Sequence, residues 1–326
     1  MTKQAPFVRP DVRAFLDYLN ALPGPKTHEL EPPAARALFK AMRDVADPPV
    51  GELALVRELM IPGLAGDIPA RLFDARESRE PGPVVVFFHG GGFVIGDVDT
   101  HAGFCAEMSR QLGLPVVSVE YRLAPEHRWP AAPDDCEAAA RWVAGSPAEL
   151  GRRATSLVLC GDSAGGTLTI VTAAALRDDP AAAPVIAQAT IYPAADMNED
   201  HPSFTEFSDG YLLTRDAMIW FRDAYAADLQ HMRGSPMRGS LAGLPPAVVI
   251  TASLDPIRDQ GRAYAAALAQ AGVPVTYREA AGNIHGFVTL RKAIPSSVGD
   301  VAGYLAALKA VVAEAEANRV MAQAAG

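Results

Sequence analysis

Cysteine is scarce in this sequence, and its spacing excludes two kinds of cross-link. Only three of the 326 residues are cysteines, at positions 105, 136 and 160. An odd and scattered set is not the pattern of a disulfide framework, and no pair has the C-x-x-C spacing of a zinc site. We therefore expect three buried, small hydrophobic side chains, and we predict no metal ion.

Basic charge and long apolar runs are also missing. The chain has 29 Lys and Arg against 38 Asp and Glu, a net charge of −9 at pH 7, which argues against a nucleic-acid partner. No stretch approaches the ~18 consecutive apolar residues of a membrane-spanning helix, so no membrane partner is expected. The N-terminus lacks the apolar core of a secretory signal, and the expected location is therefore cytoplasmic.

What the sequence does contain is a regular alternation of apolar runs and helical stretches, in a chain that is 49% hydrophobic. Such alternation is typical of an α/β fold whose parallel sheet has helices on both faces. We predict eight strands, of which the first two are antiparallel, at residues 53–61, 68–75, 84–88, 115–120, 156–161, 185–191, 246–252 and 273–279. The helices predicted between and after them are 100–112, 134–145, 164–176, 214–228, 258–271 and 298–317.

Two segments stand outside this alternation. Before residue 50, apolar residues at helical spacing predict two short amphipathic helices, around 12–22 and 35–45. Residues 193–213 form a long polar connection between a predicted strand and the next helix. Long connections in compact domains are usually functional or disordered, and we interpret this one, with helix 214–228, as an insertion.

The stretch LVLCGDSAGG, residues 157–166, contains the most informative motif. An apolar strand runs directly into G-x-S-x-G and then into a helix, which is the context of a nucleophile elbow with Ser163 on the turn. Gly161 and Gly165 would relieve crowding there, and the N–H of Ala164 would be free to donate to an oxyanion. A plain capping turn with Ser163 as the N-cap is the alternative, and the strand–turn–helix context favours the nucleophile.

The three glycines after His89, in VVVFFHGGG, fit the same chemistry. An acyl-transfer site with this elbow takes a second oxyanion donor from a glycine-rich loop after the third strand. Backbone N–H groups converge on one oxygen only where no Cβ obstructs them. We therefore predict an oxyanion hole formed by Gly90, Gly91 and Ala164, with His89 in a structural role.

A serine nucleophile needs a histidine base and an acid, which follow it along the chain in this fold. Of seven histidines, only His285 lies near the end of the chain in a loop after the last predicted strand. Three acids follow strands and could orient this histidine: Asp255, Asp259 and Asp196. We favour Asp255, because it directly follows a strand and precedes a helix, and we keep Asp196 as the weaker alternative.

Taken together, the motifs HGGGFVIGD, YRLAPEHRWPAA, GDSAGG, DPIRD and HGF resemble those of the hormone-sensitive-lipase family of α/β-hydrolases, in its bacterial esterase branch. The resemblance covers roughly residues 50–315. It implies the α/β-hydrolase fold and a triad of Ser163, Asp255 and His285. The sequence departs from the family at Glu120, where relatives often have Asp, and this departure leaves substrate preference open.

The resemblance also implies a domain organisation. Residues 1–48 would form the N-terminal part of a helical cap, and 49–326 the catalytic domain with a cap insertion at about 197–232. Oligomeric state stays open, although the family's tendency to pair edge strands is compatible with a homodimer. The large apolar residues that such a cap could place against the core or in a pocket are Phe15, Leu16, Leu19, Phe204, Phe207, Tyr211, Leu212 and Trp220.

The predicted function is a serine carboxylesterase that acts on short- to medium-chain acyl esters of small molecules without a cofactor. An amidase, a lactonase or a deacetylase on the same triad is the first alternative, because fold and triad do not fix the leaving group. A non-catalytic binding protein of the same fold is the second. That alternative predicts a missing triad member, whereas all three residue types are present.

Overall fold

One eight-stranded sheet forms the centre of the molecule in the computed structural model, which describes residues 5–325; the strand order is β1-β2-β4-β3-β5-β6-β7-β8. The strands are β1 Leu55–Gly63, β2 Gly66–Asp74, β3 Gly82–Phe88, β4 Val116–Val119, β5 Ala154–Asp162, β6 Val185–Ile191, β7 Ala247–Leu254 and β8 Val275–Ile284. β2 pairs antiparallel with both β1 and β4, and the other neighbouring pairs are parallel. The predicted α/β class and the mostly parallel sheet are confirmed.

Helices cover both faces of this sheet. They are α1 Pro10–Ala21, α2 Pro32–Ala46, α3 Ala102–Leu112, α4 Ala131–Ala144, α5 Ala164–Asp178, α6 Pro202–Glu206, α7 Arg215–Tyr225, α8 Arg258–Gln270 and α9 Ser297–Ala325. α3 and α9 pack on one face, and α4, α5 and α8 pack on the other.

The third strand shows why a sheet covered on both faces produces unbroken apolar runs. Val84, Val86 and Phe88 of β3 face the cluster that contains α4 and α5, whereas Val85 and Phe87 face the cluster with α3 and α9. Successive side chains of a strand point to opposite faces, so both sets must be apolar when both faces are buried.

Most observed bounds lie within three residues of the predicted ones, and three elements depart further from the prediction. β8 continues to Ile284, past the predicted end at 279, because backbone pairing with β7 holds this polar edge strand after its apolar pattern fades. α6 lies inside the segment predicted as a connection, and its five residues are too few to give a helical pattern. α9 extends to Ala325, whereas the predicted helix stops at 317.

The N-terminal helices are tied to the rest of the chain by ion pairs. Arg9, before α1, contacts Asp300 of α9 with an Nη1–Oδ2 distance of 2.6 Å. Arg36 of α2 contacts Glu126 with an Nη2–Oε2 distance of 2.6 Å. These contacts link the start of α1 to α9, and α2 to the segment between β4 and α4.

The predicted cap segments, 1–48 and 197–232, contain α1 and α2, and α6 and α7, respectively. Residues 1–4 of the first segment, and residue 326 of the predicted catalytic domain, lie outside the described residues. All three cysteines are buried and unpaired, as predicted. Over the range 5–325, no helix is both long and apolar enough to cross a membrane.

Candidate active site

Ser163 lies on a sharp turn between β5 and α5. Its φ of +54° and ψ of −118° are unusual for a residue with a side chain. Strain of this kind costs of order 1–3 kcal/mol and persists where the surroundings enforce it. Glycines make the turn possible, because a Cβ on Gly165 would overlap the carbonyl oxygen of Phe88, and one on Gly161 would overlap the carbonyl oxygen of Gly165.

Ser163, His285 and Asp255 form one continuous chain of hydrogen bonds. Nε2 of His285 lies 2.9 Å from Oγ of Ser163, and Nδ1 lies 2.7 Å from Oδ2 of Asp255. Asp255 is fully buried, and its other oxygen accepts the N–H of Ile257 at 2.9 Å. Asp255 and His285 directly follow β7 and β8, so the ends of two neighbouring strands position them beside the elbow.

The other two candidate acids have different partners. Oδ2 of Asp196 lies 3.0 Å from Nε2 of His201, within the insertion. Asp259 accepts the N–H of Ser203 at 3.0 Å. In the described part of the chain, neither carboxylate contacts His285. The geometry therefore favours Asp255 over both alternatives as the partner of this histidine.

The prediction for Gly90 needs correction. Its N–H donates to Oδ1 of Asp162 at 2.7 Å and is not available to an oxyanion. Within residues 5–325, the N–H groups of Gly91, Gly92 and Ala164 have no hydrogen-bond partner, and all three residues line the cavity at Ser163. Gly92, which the sequence analysis left out, thus replaces Gly90 among the free amides.

Asp162, immediately before the nucleophile, is a further site residue that the sequence analysis overlooked. Besides Gly90, it contacts Nε2 of His101 at 3.2 Å and the hydroxyl of Tyr192 at 3.3 Å. Burial raises the pKa of this carboxyl, but the charge and hydrogen bond of His101 and the N–H of Gly90 outweigh it and hold the pKa below its usual range. The only sequence signal was an acid at the end of a buried strand.

His89 is enclosed in the loop that it introduces. Its ring stacks on Tyr121 with the centroids 4.3 Å apart, and Nδ1 lies 2.8 Å from the carbonyl oxygen of Gly90. Burial, helped by the nearby His101, lowers the pKa of His89 to about 4. A neutral ring follows at neutral pH, in agreement with the structural role predicted for it.

Ser163 and His285 line a cavity of about 230 Å³. The glycine loop lies on the same side, and both predicted cap segments contribute most of the other walls, together with Ile257 and Gln260. The apolar residues contributed by the cap segments are Phe39, Met42, Met197, Phe204, Leu212, Leu213, Ala217, Met218, Ile219, Phe221, Tyr225, Ala227 and Leu229.

The large residues predicted for the cap take different positions. Phe204 and Leu212 line the cavity. Leu16 and Phe207 are buried in a cluster with Ile284, the residue before His285, and Phe15, Tyr211 and Leu212 pack against this cluster. The cluster thus attaches both predicted cap segments to the end of β8.

Comparison with known proteins identifies the family. Residues 85–289 match the sequence model of a protein family that is described as having the alpha/beta hydrolase fold. The chain belongs to this family. This α/β-hydrolase is 38% identical over 283 residues to Esterase LipI of Mycobacterium tuberculosis, covering 85% of this chain and 88% of the relative. It is 34% identical over 297 residues to Ethyl acetate hydrolase of Pseudomonas putida, and the alignment covers 87% of this chain and 92% of that relative.

Solved structures agree with the sequence relatives. The α/β-hydrolase superimposes on a thermostable esterase from Pseudomonas putida with a TM-score of 0.89 at 31% identity, covering 95% of this chain and 99% of that one. It superimposes on the Pyrobaculum calidifontis esterase with a TM-score of 0.84 at 36% identity, covering 93% and 98%. The predicted family, fold and enzyme class, a carboxylic ester hydrolase, are therefore confirmed.

Proposed function

We propose that this ester hydrolase is a serine carboxylesterase that cleaves short- to medium-chain acyl esters through Ser163, His285 and Asp255. The observation that carries the proposal is the hydrogen-bonded chain from Oγ of Ser163 through His285 to Asp255, at the wall of a largely apolar cavity. The esterase names of relatives that align with most of the chain support an ester as the substrate.

The first half of the proposed reaction transfers the acyl group to the enzyme. Oγ of Ser163 attacks the ester carbonyl carbon, while its proton passes to Nε2 of His285. Asp255 orients the ring and stabilises the imidazolium that forms. The imidazolium then donates its proton to the leaving alkoxide oxygen, the C–O bond breaks, and the alcohol departs from an acyl-Ser163 intermediate.

The second half repeats these steps with water. Nε2 of His285 takes a proton from the water that attacks the acyl carbon. The same proton returns to Oγ of Ser163 as the acyl–oxygen bond breaks. A carboxylic acid is released, the enzyme is regenerated, and the cycle consumes one water for each ester.

Free amides supply the charge stabilisation that both halves need. We assign the oxyanion hole to the N–H groups of Ala164 and of Gly91 and Gly92, which have no other partner among the described residues. Preorganised donors are strongest where water is excluded, and losing one costs roughly 10²–10³ in rate.

The cap is part of the proposal. α2 in segment 1–48, and α6 and α7 in segment 197–232, would enclose the acyl-binding cavity over a catalytic domain of residues 49–326, while α1 would anchor the first segment through its buried cluster. Enclosure limits the volume available to substrate and excludes water from the triad. Both effects favour small esters over long-chain lipids.

Substitutions of the triad test the proposal. Ser163→Ala should lower kcat/KM for p-nitrophenyl butyrate by about 10⁴-fold or more, since the nucleophile is lost. Asp255→Asn should lower it by about 10²–10⁴-fold, since the histidine loses its orienting charge. Asp196→Asn and Asp259→Asn are the matched controls, because they change the same group at carboxylates that do not contact His285.

Circular dichroism confirms that each variant is folded before rates are compared. A folded Ser163→Ala variant with more than about a tenth of wild-type activity would contradict the mechanism, which predicts a far larger loss. A larger loss from Asp196→Asn than from Asp255→Asn would overturn the assignment of the acid. Parallel assays with p-nitroanilides and lactones separate an esterase from an amidase or lactonase.

A further inference from the structure

Arg43 is a buried cation in the wall of the cavity that contains Ser163. It lies in the last turns of α2 and is 7% exposed. Phe39, Met42 and Arg43 all line the cavity. Residues three and four apart share one face of a helix, so α2 presents this face, with its charge, to the site.

The guanidinium has few partners for a buried charge. Nη1 donates to the carbonyl oxygen of Thr289 at 3.1 Å, and the guanidinium carbon lies 4.4 Å from the ring centre of Phe39. Nε is buried and has no hydrogen-bond partner among the described side chains and backbone groups. Setting aside residue 44, whose side chain is not described, no carboxylate of residues 5–325 lies within ion-pair distance of Arg43, although arginine offers five N–H donors.

Asp47 and Asp162, the described acids whose charges act on Arg43, are occupied by other partners. Asp47 pairs with Arg291 at 2.8 Å, and Asp162 is held by Gly90 and His101. Burial lowers the pKa of Arg43, and electrostatic interactions with Tyr192, Asp162 and Asp47 oppose this shift. A buried guanidinium without an ion-pair partner among the described side chains is unfavourable, and an anion that enters the cavity would relieve this penalty.

The cation also lies close to the triad. Gly286 follows His285, and a Cβ on Gly286 would stand 3.4 Å from Nη2 of Arg43. The other acids that line the cavity, Glu199 and Asp200, are exposed residues of the insertion, where water and salt screen their charge. An anionic group on a bound ester would therefore meet Arg43 at short range inside the cavity.

We propose that Arg43 binds a carboxylate on the substrate, so that this enzyme prefers small esters that carry a second, ionised carboxyl group over uncharged esters of the same size. The inference rests on the proposed esterase function of the same site. Bidentate pairing suits a guanidinium, and charge-assisted hydrogen bonds of this kind are shorter and stronger than neutral ones.

The test compares two substrates of matched size. Monomethyl glutarate carries the carboxylate, and methyl glutaramate replaces it with an uncharged amide. Acid release in a pH-stat at low ionic strength gives kcat/KM for each. The wild type should favour the carboxylate ester by about ten- to hundredfold, as expected for a charge-assisted pair.

Variants attribute this preference to the side chain. Arg43→Met should reduce the ratio of the two kcat/KM values about tenfold or more, and Arg43→Lys should restore part of it, because the charge returns without the planar fork. Lys40→Met is the matched control: it removes one charge from the same helix, at a residue paired with Asp97 and Asp99 and absent from the cavity wall. It should leave the ratio unchanged.

The outcomes separate the inference from the proposed function. No hydrolysis of either ester, or of p-nitrophenyl butyrate, would overturn the function itself. Hydrolysis of both esters at equal rates by the wild type would overturn the role of Arg43, even if Arg43→Met does not fold. A folded Arg43→Met variant that loses both activities equally would show that the residue only anchors α2.

Discussion

A single buried carboxylate, Asp162, links the glycine loop to the turn at Ser163. Its Oδ1 accepts the N–H of Gly90 at 2.7 Å and lies 3.2 Å from Nε2 of His101. A buried ion needs such partners to offset its lost hydration. By fixing the first amide of the loop, Asp162 leaves the next two, at Gly91 and Gly92, free at the cavity beside Ser163.

Glu120, directly after β4, has the opposite electrostatic environment. Burial raises the pKa of its carboxyl to about 7, with Asp97 and Asp99 acting in the same direction, against a hydrogen bond from the N–H of Val98. An exposed Glu has a pKa of about 4.3. Between these two values the folded state therefore binds more protons than the unfolded state, and stability falls as pH rises.

Glu120→Gln should remove this pH dependence. The amide keeps an acceptor for Val98 but cannot ionise, so the variant should gain about 1–3 kcal/mol relative to wild type between pH 4.5 and 7.5. Urea unfolding at both pH values measures the gain. Glu126→Gln is the control of opposite sign, because the hydrogen bond from Arg36 lowers the pKa of Glu126. If the difference in unfolding free energy between Glu120→Gln and wild type is the same at pH 4.5 and pH 7.5, the expectation is wrong.

At the scale of elements, α1 is attached to the end of β8 through its apolar face. Leu16 is 1% exposed and packs in the cluster that contains Phe207 of the insertion and Ile284 at the end of β8. His285 follows Ile284 directly. One cluster thus joins the N-terminal helix, the insertion and the strand that precedes His285.

Leu16→Ala should lower the free energy of unfolding by about 2–4 kcal/mol, because it leaves a cavity in this cluster. Leu22→Ala, at the end of the same helix, is the matched control, since Leu22 is 49% exposed. Its effect should stay within about 0.5 kcal/mol. Urea denaturation measures both, and equal effects would mean that α1 contributes little to the folded core.

At the scale of the whole molecule, the features that depend on short, contiguous sequence motifs could be predicted from the sequence. The elbow at Ser163, the position of His285 and the mostly parallel sheet follow from local pattern and chain order, whereas the position of β4 between β2 and β3 was not predicted. The orientation of the Gly90 N–H could not be predicted in this way, because the carboxylate that accepts it belongs to Asp162, at the end of another strand. In the sequence, Arg43 is an ordinary residue of a predicted helix. Only the packing of α2 in the folded chain places it in the wall of the cavity.

The size of the cavity sets an expectation for the whole enzyme. Its volume of about 230 Å³ falls just below the ~300–1,000 Å³ usual for ligand pockets. Each methylene of an acyl chain adds about 0.8 kcal/mol of binding only while the cavity has room to bury it. A longer chain must stay in water or displace the elements that line the cavity.

Among uncharged p-nitrophenyl esters, kcat/KM should therefore rise from acetate, reach a maximum at about C4–C6 and fall for longer chains. The series from acetate to palmitate, assayed below the critical micelle concentration of each ester, measures the profile. Phe204→Ala, which removes a ring from the cavity wall, should shift the maximum to longer chains, whereas Phe7→Ala at a 67% exposed side chain should not. A profile that still climbs at C12–C16 would mean that the walls open to an extended groove, because an enclosed cavity of this volume has no room for such a chain.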